Sequence, residues 1–357
     1  ISFAEFMQEA LYAPGLGYYA AGATKFGAAG DFVTAPEVSP LFGAVLARQC
    51  AGVITGLNEP VILEFGAGSG RLAVDVLRAL AQLDALPERY AIIEVSGDLR
   101  ERQQILVREE APELADRITW LDRVPDRHNG IVIANEVLDA LPVERFVCRR
   151  ERVSQVCITV EDDRFVAVER PAPANLAAAI TLLEDELGHA LPEGYASEVC
   201  LAAGPWIADL AACLERGIVF LFDYGLSRRE YYANDRSGGW LRCHFRHHAH
   251  NDPLILPGIQ DLTAWVDFSG IATAAHANGL DIAGFVNQAQ FLIAGGLDAE
   301  LAGMVDLPPA AQFELSRQVK LLTLPGEMGE NFKCLGLRRG DIATPGAFLT
   351  ADRTATL

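Results

Sequence analysis

From Val61 to Tyr224, short β-branched runs alternate with longer stretches in which apolar residues recur every three or four positions. That rhythm is the mark of βαβ units and predicts a mostly parallel sheet with helices on its faces. The predicted strands are Val61 to Phe65, Tyr90 to Val95, Ile118 to Leu121, Gly130 to Ala134 and Ile218 to Tyr224. Between the first two, Leu72, Val76, Leu77 and Leu80 put one apolar stripe on a helix running from Arg71 to Leu83. Right-handed crossovers would then make an α/β, doubly wound sheet.

Other segments break the rhythm. Glu144 to Pro171 contains three alternating stretches that read as an antiparallel ribbon, followed by a helix from Ala174 to Leu187, so this region is expected to be an insertion before the fifth strand. A second helix, Pro205 to Leu214, leads into that strand. Gly225 to Gly258 is rich in Gly, Arg and His and too long for a simple connection, which suggests a lid or a mobile segment. Further helices are expected at Leu262 to Ala277, Asn287 to Ile293 and Pro308 to Leu322, with a closing strand from Lys333 to Leu337. At the N-terminus, helical patches at Ser2 to Leu11 and Pro40 to Ile54 flank a glycine-rich, aromatic stretch that needs a partner surface to order it. The expected division is an N-terminal flap (1–57), a catalytic domain (58–143 and 203–340), an insertion (144–202) and a tail (341–357).

Composition narrows the possible partners. With 357 residues, half of them hydrophobic, there is ample material for a buried core. Lys+Arg 29 against Asp+Glu 48 gives −19, a charge that repels a phosphate backbone and suits a basic protein substrate better than nucleic acid. The seven cysteines never form a CxxC pair, which fits a reducing compartment and suggests neither a disulfide framework nor a zinc site. No apolar run approaches the ~20 residues of a bilayer span, and Ile1 to Gln8 lack signal-peptide character, so a soluble chain without membrane insertion is expected. Its expected location is the bacterial cytoplasm, or the mitochondrial matrix for a mature eukaryotic chain. Oligomeric state stays open.

The most informative segment is Ile62-Leu63-Glu64-Phe65-Gly66-Ala67-Gly68-Ser69-Gly70. A strand that runs through an acidic residue into GxGxG and straight on into a helix makes a tight turn whose backbone can approach a ligand closely. The helix N-terminus adds amide donors suited to a carboxylate. Dinucleotide sites use GxGxxG, and the position of their third glycine is Arg71 here. The GxGxG form preceded by Glu64 matches the first motif of Rossmann-like methyltransferases, so S-adenosylmethionine is the expected cofactor, with Gly66, Ala67, Gly68 and Gly70 along its methionine and ribose portion. Glu94, near the end of the second predicted strand beside Val95, has two oxygens that match the vicinal diol of a ribose. Leu121 and Asp122 end the third strand, where such folds touch adenine.

Asn135, Glu136 and Asp139 follow the fourth strand and should face the reacting methyl, because ligands of such sheets bind beyond the carboxyl ends of the strands. Acidic residues also suit a helix N-terminus for structural reasons alone. Gly30, Asp31, Phe32 and Thr34 lie on the N-terminal flap, where they are candidates for closing the pocket over the cofactor. In Arg246-His247-His248-Ala249-His250 the spacing is wrong for a helical metal motif, which leaves His250 as a candidate to hydrogen-bond or shuttle a proton.

With these motifs assembled, the chain resembles the MidA family of Rossmann-like methyltransferases. The resemblance spans nearly the whole chain. It runs through Gly30-Asp31-Phe32-Val33-Thr34-Ala35-Pro36-Glu37, the glycine loop, Ile93-Glu94-Val95-Ser96 with Leu99-Arg100 and Gln103, Asn135-Glu136 to Pro142, Asp223-Tyr224-Gly225, His250-Asn251-Asp252-Pro253, and Asp261-Leu262-Thr263-Ala264 with Val266-Asp267-Phe268. Mitochondrial members methylate an arginine of a complex I subunit during assembly. The resemblance therefore implies S-adenosylmethionine as donor, S-adenosylhomocysteine as product, and a protein arginine as acceptor, with Glu136, Asp139, Glu37 or Asp31 orienting the guanidinium. Departures from the family pattern are Ala67 and Ser69 within the glycine loop, Gly97 where proline is common, and Trp265 in place of a histidine near the substrate. Fold and cofactor do not fix the acceptor, so a small-molecule methyltransferase and a non-catalytic assembly factor stand as alternatives.

Overall fold

A computed structural model describes residues 1–20, 34–150, 152–302, 304 and 307–357. Its centre is a sheet of β1 (Val61–Phe65), β2 (Arg89–Ile93), β3 (Ile118–Leu121), β4 (His128–Asn135), β5 (Leu214–Leu226), β6 (Asp281–Asn287) and β7 (Phe332–Arg339). The order is β6-β7-β5-β4-β1-β2-β3, and the short strand Val266–Asp267 runs beside the end of β5. β7 alone runs opposite to the other six strands. The inner strands are continuously apolar because both faces are covered, as parallel sheets require. Alternate residues serve the two faces: Ile62, Ile92, Ile131, Ile133, Ile218 and Phe220 pack in one core with helices α2 (Ala35–Val38), α3 (Pro40–Ile54) and α4 (Arg71–Gln82). Leu63, Ala91, Val132, Val219 and Leu221 pack in the other core with the helices Ala203–Cys213 and Phe268–Ala277.

The main differences from the sequence-based expectation lie at β2, before the helix at Phe268, and at β6. β2 stops at Ile93, which leaves Glu94 and Val95 in the loop beyond it. The helix expected over 262–277 starts only at Phe268, where the Asp267 carboxylate accepts from the Gly270 N–H. Asp261–Ala264, upstream of it, is a strand. β6 was not anticipated, since Gly284 interrupts its short apolar run.

The segment after β5 is not a free lid. It folds into the strands Leu241–Phe245 and His248–His250, which join Asp261–Ala264 in a small antiparallel sheet. Arg246 and His247 make the hairpin turn between them, both at positive φ (47° and 61°), the backbone that a two-residue turn of this kind demands. Glu144–Arg149, Arg152–Glu161 and Arg164–Pro171 form the anticipated ribbon, extended by Ala196–Val199.

Helix α1 (Phe3–Tyr12) is N-capped by a reciprocal Ser2 and Glu5 box. Its buried face, Phe3, Phe6, Met7 and Leu11, packs with Ile158 of the ribbon and Leu241 and Leu262 of the small sheet. The N-terminal stretch thus has two different halves: α1 clamps the two small sheets, whereas α3 belongs to the central core. Among the described residues, no helix is long and apolar enough to cross a membrane.

Candidate active site

A cavity of about 500 Å³ opens at the carboxyl ends of β1, β2 and β4, where the strand order reverses. That is the place and size at which open α/β sheets take a nucleotide-sized ligand. Three glycines with left-handed backbone shape one wall: Gly66 at φ 61°, Gly68 at 55° and Gly70 at 87°. A β-carbon on Gly66 would come within 3.2 Å of Val137 Cγ2, and one on Gly70 within 3.2 Å of Gln103 Cγ, so a side chain at either is strained in backbone and crowded in space. The Gly66 N–H donates to Ile93 O (2.9 Å), and α4 starts directly after Gly70. Arg71 turns away, making a bidentate pair with Glu110 of α5 (Gly97–Glu110) at 2.6 and 2.5 Å. Ser69 Oγ donates to the Glu37 carboxylate and so ties the N-terminal segment to the glycine loop. Glu94 accepts from the Ser96 N–H (2.9 Å) and from Gln103 Nε2 (3.0 Å).

The opposite wall is acidic and comes from several elements. Glu136 follows β4 at φ 54°, a left-handed conformation for a non-glycine residue, held by its N–H on Phe222 O of β5 (2.9 Å). Asn135 Nδ2 donates to Glu136 Oε1 (3.2 Å). Behind them Asp223 is fully buried. Its Oδ2 accepts from the N–H groups of Leu138 (3.0 Å) and Asp139 (3.1 Å) and its Oδ1 from Tyr224 (2.9 Å), which sets the path of the loop carrying Asp139. On the far side, Asp261 accepts from the Tyr19 hydroxyl (3.1 Å), Tyr19 stacks on Tyr12 at 5.5 Å, and the Tyr12 hydroxyl donates to Ala140 O (2.9 Å).

Burial raises the carboxyl groups here. Glu136 is held well above its ordinary range, by desolvation first and the neighbouring Asp139 second. Asp139 is raised by burial, with the Tyr224 hydroxyl and local backbone amides pulling it partly back. Glu64, beneath the glycine loop, is pushed up to about 8 by burial, against the stabilising hydroxyl of Tyr90 at 2.9 Å. In all, the lining holds six carboxyl groups, Glu37, Glu64, Glu94, Glu136, Asp139 and Asp261, and among the described residues no Lys, Arg or His. Two buried acceptors, Asn135 Oδ1 and Asp139 Oδ1, have no partner among the described residues. Buried acceptors are normally satisfied, so this wall fits a ligand that is cationic and rich in donors.

Residues 45–286, more than half of the chain, match the family model for S-adenosyl-L-methionine-dependent methyltransferases. The chain is 30% identical to the protein arginine methyltransferase NDUFAF7, mitochondrial, of Danio rerio, with 93% of this chain and 82% of that protein covered. Against the Homo sapiens protein of the same name the identity is 29%, with 94% and 80% covered. A superfamily member from Burkholderia thailandensis, solved with S-adenosyl-homocysteine bound, is 40% identical with a TM-score of 0.93, over 100% of this chain and 92% of that one.

The chain belongs to the MidA family of Rossmann-like methyltransferases. It is an S-adenosylmethionine-dependent methyltransferase, and S-adenosylmethionine is its cofactor. In this MidA-family cavity Thr34, Glu64, Gly66, Ala67, Gly68, Glu94, Val95, Asn135, Glu136 and Asp139 all reach the lining, and Gly70 stands behind it as the helix N-cap. Leu121 and Asp122 do not reach it: β3 lies on the far side of β2, and Asp122 is exposed and paired with Arg100 at 2.6 Å. Beyond Glu94 the lining continues instead through Val95, Ser96 and Leu99. His250 also lies off the cavity, on the small sheet, where its Nδ1 accepts from the Asp252 N–H (3.3 Å). Trp265 stacks on Trp240 at 4.5 Å and does not line the cavity, which Tyr224 does. Gly30, Asp31 and Phe32 fall outside the described residues.

Gln8, Tyr12, Tyr19 and Trp206 were not anticipated in the lining. Gln8 and Tyr12 sit four apart on α1, Gln8 exposed and Tyr12 at the edge of its buried apolar face, and that spacing is the one signal the sequence offers.

Proposed function

We propose that this enzyme transfers the methyl group of S-adenosylmethionine to an arginine side chain of a protein. The observation that carries this reading is the charge of the cavity: six carboxyl groups and no basic side chain among its described lining. The relatives named protein arginine methyltransferases, similar over most of the chain, support the same acceptor.

The bound cofactor supplies a methyl group already activated on a sulfonium and leaves as S-adenosylhomocysteine. The backbone of Gly66 to Gly68 and the start of α4 receive the methionine portion, and Glu94 accepts from the ribose hydroxyls. Val95, Ser96 and Leu99 flank the base, in place of Leu121 and Asp122. Thr34 and Glu37 close the rim, and a cofactor-binding role is proposed for Gly30, Asp31 and Phe32. An arginine with a pKa above ~12 arrives charged, so Glu136 and Asp139 orient its guanidinium through charge-assisted hydrogen bonds. As the new N–C bond forms, one of these carboxylates takes the proton that the nitrogen loses. Burial has moved both toward the pKa range in which a carboxylate is an effective general base. Holding acceptor and donor in line supplies much of the remaining rate.

The thiols, none of them in a disulfide among the described residues, suit a reducing compartment, which we take to be the bacterial cytoplasm. The eukaryotic relatives are named mitochondrial. The test is transfer of labelled methyl from S-adenosylmethionine into a lysate, read by gel and mass spectrometry. Methylarginine in a protein band is the expected result, whereas label confined to small molecules would remove the arginine acceptor. Binding of S-adenosylhomocysteine without any turnover would point to a non-catalytic assembly factor.

A further inference from the structure

Helix α5 presents Leu99, Gln103 and Val107 to the protein interior, one residue per turn. The outer two are apolar, as a buried helix stripe should be. Gln103 between them is fully buried as well, and a carboxamide there costs free energy unless all of its hydrogen bonds are made. They are made. Nε2 donates to Gly68 O (2.9 Å) and to Glu94 Oε2 (3.0 Å), and Oε1 accepts from Trp120 Nε1 (2.8 Å). An indole N–H can only donate, so Trp120 on β3 decides which end of the amide is oxygen and obliges both Nε2 hydrogens to point at Gly68 and Glu94. The side chain also packs under the turn itself, within 3.2 Å of where a β-carbon on Gly70 would stand.

We infer that Gln103 is a positioning residue for the cofactor site, locking the Glu94 carboxylate and the Gly68 peptide into one arrangement so that the ribose-binding group and the glycine loop act as a unit. The inference rests on the assignment of Glu94 to the ribose. Packing alone gives no reason for a polar residue at this position, and none of its three partners lies within its own helix.

The test is calorimetry on the full chain with S-adenosylhomocysteine and with its 3′-deoxy analogue, which lacks one ribose hydroxyl. Losing a hydrogen bond to a charged group weakens binding by about 10- to 100-fold, and Gln103→Leu should weaken S-adenosylhomocysteine by that much. It should also abolish most of the wild-type preference for S-adenosylhomocysteine over the deoxy analogue, as Glu94→Gln should. If Glu94→Gln loses the preference while Gln103→Leu keeps it, the inference is overturned and the ribose assignment stands. If both variants keep it, the ribose assignment fails and the inference with it.

Gln103→Glu preserves the shape should the leucine variant not fold. It sets a second carboxyl against Glu94, so its affinity relative to wild type should be lowest near pH 8 and recover toward pH 5 as a shared proton replaces the lost N–H donor. Glu64 and Tyr12 also feel the charge of Glu94, so each pH is compared with wild type measured at that pH. An equal deficit at both pH values would mean that Gln103 only fills space.

Discussion

The half of the cavity assigned to the methyl donor comes mainly from one stretch of chain, Glu64 to Leu99, while the acceptor half gathers Tyr12, Tyr19, Glu136, Asp139, Tyr224 and Asp261 from distant parts of the chain. The donor half is made of turn backbone, left-handed glycines and a neutral amide that fixes one carboxylate. The acceptor half is made of carboxyl groups buried beside one another, each raising the cost of ionising the next. Shape therefore selects the donor. On the proposed reading charge selects the acceptor, because an entering cation offsets a repulsion that the empty wall relieves only by taking up protons.

Variants that touch one half and spare the other put this contrast to work. The largest effect is expected for Glu136→Gln, which should lower kcat by about 10²- to 10⁴-fold in a methyl-transfer assay while leaving S-adenosylhomocysteine affinity within about threefold. Comparable losses in kcat and cofactor affinity would show that the halves are not separate. Gly68→Val places a branched side chain on a left-handed residue where the ligand lies against the backbone, and calorimetry should find S-adenosylhomocysteine weakened by at least about 100-fold. Wild-type affinity would mean that the pocket is misplaced.

Asp223→Asn tests the loop behind the acceptor wall. It leaves an acceptor for the Leu138 and Asp139 amides but turns a donor NH2 toward the Tyr224 N–H, so kcat should fall about tenfold and stability by about 1–3 kcal/mol, read by urea unfolding.

The buried acids also predict how stability depends on pH. Burial raises Glu64 to about 8 and Asp75 to about 6, so over the intervening range the folded protein holds protons that the unfolded chain has released. The stability they contribute is complete below ordinary carboxyl pKa values and is lost as pH rises through these raised ones. His128, pushed down to about 4, acts in the other direction below its ordinary value of 6.5. Tm should accordingly fall by a few degrees from roughly pH 6.5 to 8.5, and Glu64→Gln should flatten that fall. An unchanged slope would show that Glu64 is ionised at neutral pH. The smallest effects are expected from Asp122→Ala and His250→Ala: both lie off the cavity, and cofactor affinity should stay within about twofold.

Much of the donor half was legible in the sequence. A strand, three glycines and the start of a helix are adjacent, and each constrains the backbone of its neighbours. The strands β1 and β3 and helix α3 match their expected limits for the same reason, since their apolar patterns are local. Elsewhere local pattern misled. Residues 262–264 read as the start of a helix because they suit either state, and only pairing with Leu241–Phe245 makes Asp261–Ala264 a strand. The histidine-rich stretch invited a chemical role, yet Arg246 and His247 form a hairpin turn that carries His250 away from the cavity. Gln103 is visible in the sequence only as one match among many. Its role depends on Trp120, which β3 delivers from the sheet edge.

By itself, then, the sequence determined what adjacent residues can impose on one another: the alternation of strands and helices that builds the parallel part of the sheet, the left-handed turn at Gly66 to Gly70, and a carboxylate at the end of β2. The tertiary structure decided which carboxyl groups share a low-dielectric wall and which remain in water. Burial and Coulomb energy depend on distance through space, and the chain separation between Glu136 and Asp261, or between Tyr12 and Ala140, carries no information about that distance.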